Sequence, residues 1–233
     1  MTLCVMLHGA GSTAQFMQRT FGQAAGRRGW RFVAPDVRGA TMAEMVGIIE
    51  ECSPGPGDVV GGVSLGSHAA AAFAIEHGWR GRLSLVMPAW TDRPAAVAAL
   101  TAHTADAIAA TSVSEVIAGI EEHAPAGDWI LTELRQAWGS MPAEELTNAL
   151  RVAAAQPAPT AAQLATIRAT ARVVGLDQDP THPLAVAERY AKAIPDATLV
   201  VLPRDLNGAG PSLLAEALSE GAVARVLDGP HPS

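Results

Sequence analysis

The sequence predicts an α/β fold of about six mostly parallel strands flanked by helices, on three observations. Six short apolar runs recur along the chain, each closing on a turn or a small-residue loop, with helix-length segments between them. Strands buried on both faces of a parallel sheet read as such continuous runs. The third run feeds straight into a glycine-flanked serine turn and then into a helix. Finally, 233 residues, 49% hydrophobic and 17% charged, suffice for one large domain, or a core with an insertion, and exclude wholesale disorder or a collagen-like repeat.

The strands are expected at Leu3 to Leu7, Arg31 to Ala34, Val59 to Val63, Leu83 to Met87, Ala171 to Leu176 and Thr198 to Leu202. Between them, Ala14 to Arg28, Met42 to Cys52, Ser67 to His77 and Pro183 to Ala193 have helical length and composition. A last helix should run from Pro211 toward Val226, with the proline favourable in its first turn. The even spacing breaks between Met87 and Ala171. There, Ala-rich, helix-prone sequence is punctuated by Pro94, Pro125, Gly127, Gly139, Pro142 and the loop Gln156-Pro157-Ala158-Pro159-Thr160. Residues 90–160 are therefore expected to form a helical cap over a core built from 1–89 and 161–233. No internal repeat is present.

Charge narrows the function classes. With 16 basic against 23 acidic residues and a net charge of −7, the chain is ill-suited to gripping nucleic acid or an anionic membrane surface. Cys4 and Cys52 lack CxxC spacing and read as two reduced thiols. No basic leader precedes an apolar segment, and no run reaches the roughly 20 apolar residues of a membrane helix, so a cytoplasmic protein is expected. No pair of histidines has metal-ligand spacing with a carboxylate nearby, so neither metal nor cofactor is expected; the expected partner is a small molecule.

The chemistry centres on Gly62-Val63-Ser64-Leu65-Gly66. The glycines let strand and helix backbones approach, and the turn holds the serine oxygen at a helix N-terminus, where free N–H groups favour developing negative charge. The first strand ends in His8-Gly9-Ala10-Gly11-Ser12, a loop able to aim a backbone N–H at the same point as the amide of Leu65. Ala10 and Leu65 are thus candidate oxyanion donors, and His8 reads as a loop-holding residue.

Those motifs make the chain resemble the α/β-hydrolases over nearly its whole length. His8-Gly9 matches the family's HG motif, Ala34-Pro35-Asp36-Val37-Arg38-Gly39 its loop after the next strand, and Ser64 its nucleophile elbow. The family's two extra N-terminal strands are missing, which implies a short, six-stranded version. The resemblance implies a triad in the order serine, acid, histidine. Asp179, four residues before Pro183, matches the family's D-x-x-x-P spacing better than Asp177 does; capping of the following helix is its alternative role.

The family's histidine belongs in the loop after the last strand, which here reads Pro203-Arg204-Asp205-Leu206-Asn207-Gly208-Ala209-Gly210. Asn207 occupies that slot, with Ala209 the other candidate position, and an amide cannot accept the serine proton. Loss of the general base would leave slow hydrolysis. His182, three residues past Asp179, is the substitute base to weigh, although it must reach across from the acid loop. His68 is expected behind the nucleophile, His231 in the C-terminal tail, and His77, His103 and His123 at helix ends or in the cap. Trp90 is a candidate substrate-binding residue at the sheet edge, while Trp129 and Trp138 either join an apolar lid or hold the cap helices together. The first reading is a serine hydrolase of a small, largely apolar ester or thioester. A catalytically weakened protein that binds a small molecule or performs a non-hydrolytic step is the alternative, and an interaction protein with a vestigial elbow is more remote.

Overall fold

A computed structural model describes residues 1–94 and 96–219. Its strands are β1 (Leu3–Leu7), β2 (Arg31–Val33), β3 (Val59–Val63), β4 (Arg82–Val86), β5 (Thr170–Asp177) and β6 (Ala197–Pro203). They form one sheet in the order β2-β1-β3-β4-β5-β6, with every pair parallel. The register aligns Leu7 with Gly62, Val63 with Val86, Val86 with Val174, and Asp177 with Pro203. The strands therefore discharge their loops along one edge, with β3 near the middle.

Alternation along the strands explains the two-sided core. Leu3, Val5 and Leu7 face one cluster with Met45, Ile49, Leu83, Leu85, Val173 and Tyr190, whereas Cys4 and Met6 face another with Phe21, Val86, Val174 and Leu214. The first face is covered by α3 (Met42–Glu51), α4 (Leu65–Glu76) and α10 (Leu184–Ala193). The capping box of Thr41 and Glu44 starts α3. On the other face, the expected single helix over 14–28 is α1 (Ala14–Met17) and α2 (Gln23–Arg27) joined by a π-helical turn, Gln18–Gly22. The Gln18 side chain lies where a Cβ on Gly22 would stand. From Pro211 the chain forms a 3₁₀ helix ending at Leu218; the expected continuation toward Val226 lies outside the described residues.

Between β4 and β5 come α5 (Ala96–Ala110), α6 (Val113–Glu121), α7 (Trp129–Gly139) and α8 (Ala143–Ala155), and then the single turn α9 (Ala161–Leu164). No strand occurs among the described residues of this interval. Ala105, Ile108, Ala137, Trp138, Met141, Leu146 and Leu150 form a separate apolar cluster there. Hydrogen bonds from Asp92 N–H to Pro159 O (3.3 Å) and from Ala158 N–H to Asp92 O (2.8 Å) join its two stems. Arg38 pairs with Glu145 at 2.9 Å and Arg204 with Asp128 at 2.7 Å, tying α8 and the start of α7 to the sheet's loop edge.

Candidate active site

The turn between β3 and α4 forces Ser64 to φ 53° and ψ −117°, a conformation that costs a non-glycine residue on the order of 1–3 kcal/mol. Its neighbours over-determine it. Ser64 N–H donates to Val86 O (2.8 Å), while Ser64 O accepts from Ser67 N–H (2.9 Å) and Ser67 Oγ (2.6 Å). The backbone is thus spent locally and the hydroxyl is left for chemistry. A Cβ on Gly66 would collide with Leu7 O, one on Gly62 with the Gly66 backbone, and one on Gly9 would stand 3.0 Å from Ser64 Cβ. These glycines let β1, β3 and α4 meet closely enough to present the serine.

His182 and Asp179 come from the loop between β5 and α10. His182 Nε2 lies 3.1 Å from Ser64 Oγ, and its Nδ1 lies 3.0 Å from Asp179 Oδ2. One tautomer satisfies both contacts: Nδ1–H donates to the carboxylate, and Nε2 accepts from the serine hydroxyl. Asp179 Oδ1 accepts from Thr181 N–H (2.9 Å) and Thr181 Oγ1 (2.7 Å). Burial alone would push the Asp179 carboxyl up, but the hydrogen bond and charge of His182, together with the Thr181 donors, outweigh it and hold the carboxyl well below the usual range. The acid side chain is fully buried and the imidazole 19% exposed, so the charge gradient runs from the interior outward to the serine.

The N–H groups of Ala10 and Leu65 have no acceptor among the described residues. Both residues line a small cavity of about 10 Å³ with Gly9, Gly11, Ala40 and Ala149. That is room for one water-sized group. The loop carrying Ala10 is held by His8, whose Nε2 accepts from Val37 N–H (2.9 Å) and whose Nδ1 faces Gly9 O (2.9 Å). Burial holds His8 below its ordinary pKa, in the neutral form these bonds require.

The expectation that an asparagine at 207 leaves Ser64 without an imidazole is corrected here. Asn207 is exposed after β6, at φ 51°, with its N–H on Asp205 Oδ1 (2.9 Å). The imidazole comes instead from the loop after β5, two strands from β3 where β6 is three, so this loop reaches Ser64 over a shorter span of sheet, roughly 10 Å at about 4.8 Å per strand. Trp90 is only 5% exposed, its indole N–H donates to Gln156 O (3.2 Å), and its ring meets His68 edge-on at 5.0 Å. His68 is fully buried beside Tyr190, its Nε2 accepts from Ala89 N–H (3.1 Å), and burial pushes its pKa down to about 3. Trp129 donates its indole N–H to Arg204 O (2.8 Å), and Trp138 sits in the interhelical cluster, both holding helices in place. His231 lies outside the described residues.

No protein-family model and no curated protein matches the sequence. Solved structures do match. An enol-lactonase from Burkholderia xenovorans LB400 superposes with a TM-score of 0.72 at 17% identity, over 94% of this chain and 92% of that one. The α/β-hydrolase fold is this chain's fold. A thermophilic esterase from Thermogutta terrifontis (TM-score 0.71, 20% identity, 94% and 88% of the two chains) and a hydrolase from Pseudomonas aeruginosa PA01 (0.71, 21%, 93% and 88%) are similar over as much of their length. Asp179 and His182, the two side chains in line with Ser64, both come from the loop between β5 and α10. Thr181 is the residue that sequence reasoning missed; the run Asp179-Pro180-Thr181-His182-Pro183, an acid followed by a threonine and a histidine held between two prolines, is its available signal. Among the described residues no group of three or more His, Cys, Asp or Glu side chains could hold a metal ion, and no helix is long and apolar enough to cross a membrane.

Proposed function

We propose that the protein is a serine hydrolase acting on a small, largely apolar ester or thioester. The observation that carries the reading is the hydrogen-bonded line Ser64 Oγ, His182 Nε2, His182 Nδ1, Asp179 Oδ2. His182 Nε2 takes the hydroxyl proton as Ser64 Oγ forms its bond to the substrate carbonyl carbon. The oxygen that becomes negative is received by the Ala10 and Leu65 N–H groups, and buried Asp179 stabilises the imidazolium through Nδ1–H. Collapse breaks the bond to the alcohol or thiol, which leaves with the proton from Nε2. Water, deprotonated by the same nitrogen, then releases the acid and restores Ser64. The small cavity beside Ala10 and Leu65 has room for one oxygen-sized group, which fits the place of the substrate oxygen that turns negative. The ester chemistry of the esterase and the enol-lactonase that the chain resembles in structure supports the bond type.

The contact of His182 with Ser64 favours this reading over a weakened, binding-only protein, which the lack of an imidazole there would have suggested. Labelling with a fluorophosphonate, located by peptide mass spectrometry, tests the proposal. The adduct is expected on Ser64, absent from Ser64→Ala and strongly slowed in His182→Ala; a wild-type protein that takes no label would overturn it.

A further inference from the structure

We infer that Thr181 is a positioning residue that closes the acid and base of the site into one hydrogen-bonded ring. The inference rests on the serine hydrolase reading. Thr181 Oγ1 is 2.7 Å from Asp179 Oδ1 and 3.1 Å from His182 Nδ1, and Nδ1 is 3.0 Å from Asp179 Oδ2. The hydroxyl has one proton. Nδ1 carries its own proton whenever Nε2 accepts from Ser64, so the threonine proton goes to the carboxylate and its lone pair faces Nδ1–H. The imidazole N–H is thereby shared between Asp179 Oδ2 and Thr181 Oγ1.

This ring answers a problem particular to the loop. A carboxylate turns about a broad, two-fold terminal torsion, and one bond to a histidine three residues on would leave its plane loosely set. Two Thr181 donors on Oδ1 lock that plane, so that Oδ2 faces the ring nitrogen. Pro180 and Pro183 restrict the backbone on both sides. When His182 gains the serine proton, its Nδ1–H faces two oxygens, one of them already polarised by the carboxylate it serves. The geometry needed for proton transfer is thus built within five consecutive residues and borrows nothing from the loop after β6.

Thr181→Val removes the hydroxyl but keeps the backbone N–H on Asp179, and Thr181→Ser keeps both. On an activated ester, the valine variant should lose about 10- to 100-fold in kcat, a part of what general-base assistance supplies, with KM within about twofold of wild type. The serine variant should recover most of the loss. The downfield Nδ1 proton resonance, read by NMR without turnover, should stand at the same place in wild type and Thr181→Ser and be shifted in Thr181→Val, where Asp179 Oδ2 is left as its one acceptor. Thr181→Ala makes the same comparison should the valine variant fail to fold. Wild-type kcat in the valine or alanine variant, or no recovery with serine, overturns the inference while leaving Ser64 chemistry intact; a wild-type protein with no turnover and no label on Ser64 overturns the underlying reading as well.

Discussion

Asp179→Asn separates chemistry from stability within one side chain. In the native site Oδ1 holds both Thr181 donors and Oδ2 holds His182 Nδ1–H. Asparagine has one acceptor oxygen, and the two Thr181 donors claim it, which turns the amide NH₂ toward the ring. The imidazole then adopts the other tautomer, with Nδ1 accepting and Nε2–H facing Ser64, where it cannot take a proton. Such a tautomer error costs about 10⁴-fold in kcat, or about 5 to 6 kcal/mol at 1.36 kcal/mol per tenfold. Stability changes far less. Charge-assisted bonds worth about 1.5–3 kcal/mol each weaken to ordinary ones, but relief from burying a charge offsets part of this, leaving a loss of about 1–2 kcal/mol. Ester turnover and a melting curve on the same sample read both quantities. A variant turning over within a few-fold of wild type at neutral pH would refute the assignment of Asp179 as the orienting acid.

Other expectations follow from particular contacts. Gly66→Ala places a methyl on the carbonyls of Leu7 and His8 in rigid backbone and should cost about 3 kcal/mol or more, read as loss of soluble protein or a steep fall in denaturation midpoint. Asp128 caps α7 through Ile130 N–H (2.9 Å) and pairs with Arg204 while 4% exposed, so Asp128→Ala should cost about 3 kcal/mol and lower Tm by on the order of 10 °C. The Arg38 guanidinium beside Asp36 pulls that carboxyl from 3.8 to about 2. Because the folded value is the lower one, its contribution is present above 3.8 and lost as pH falls toward 2, and Asp36→Asn should flatten that part of a pH–stability curve.

Much of the scaffold is legible because the central strands are buried on both faces and so appear as apolar runs: the expected Val59–Val63 matches β3 to the residue, and β4, β5 and β6 lie within a residue of their expected ends. The elbow was legible for the same reason, since Gly62 and Gly66 answer to backbone contacts that only glycine permits. What escaped depends on distances across the sheet. Position in the chain order put the histidine after β6, at Asn207, while β5 lies a strand nearer to Ser64, and sequence carries no direct measure of that. Trp90 is apolar and sits just past a strand, a pattern shared by pocket walls and core residues. Its bond to Gln156 O, 66 positions away, is a long-range contact that the sequence does not carry.

A pre-steady-state burst on an activated ester tests the central claim most directly. Wild type should release about one equivalent of leaving group per chain before steady turnover, as an acyl-enzyme requires. Asn207→Ala should keep that burst, and Ser64→Ala and His182→Ala should lose it. A burst of wild-type amplitude and rate in His182→Ala would contradict the account.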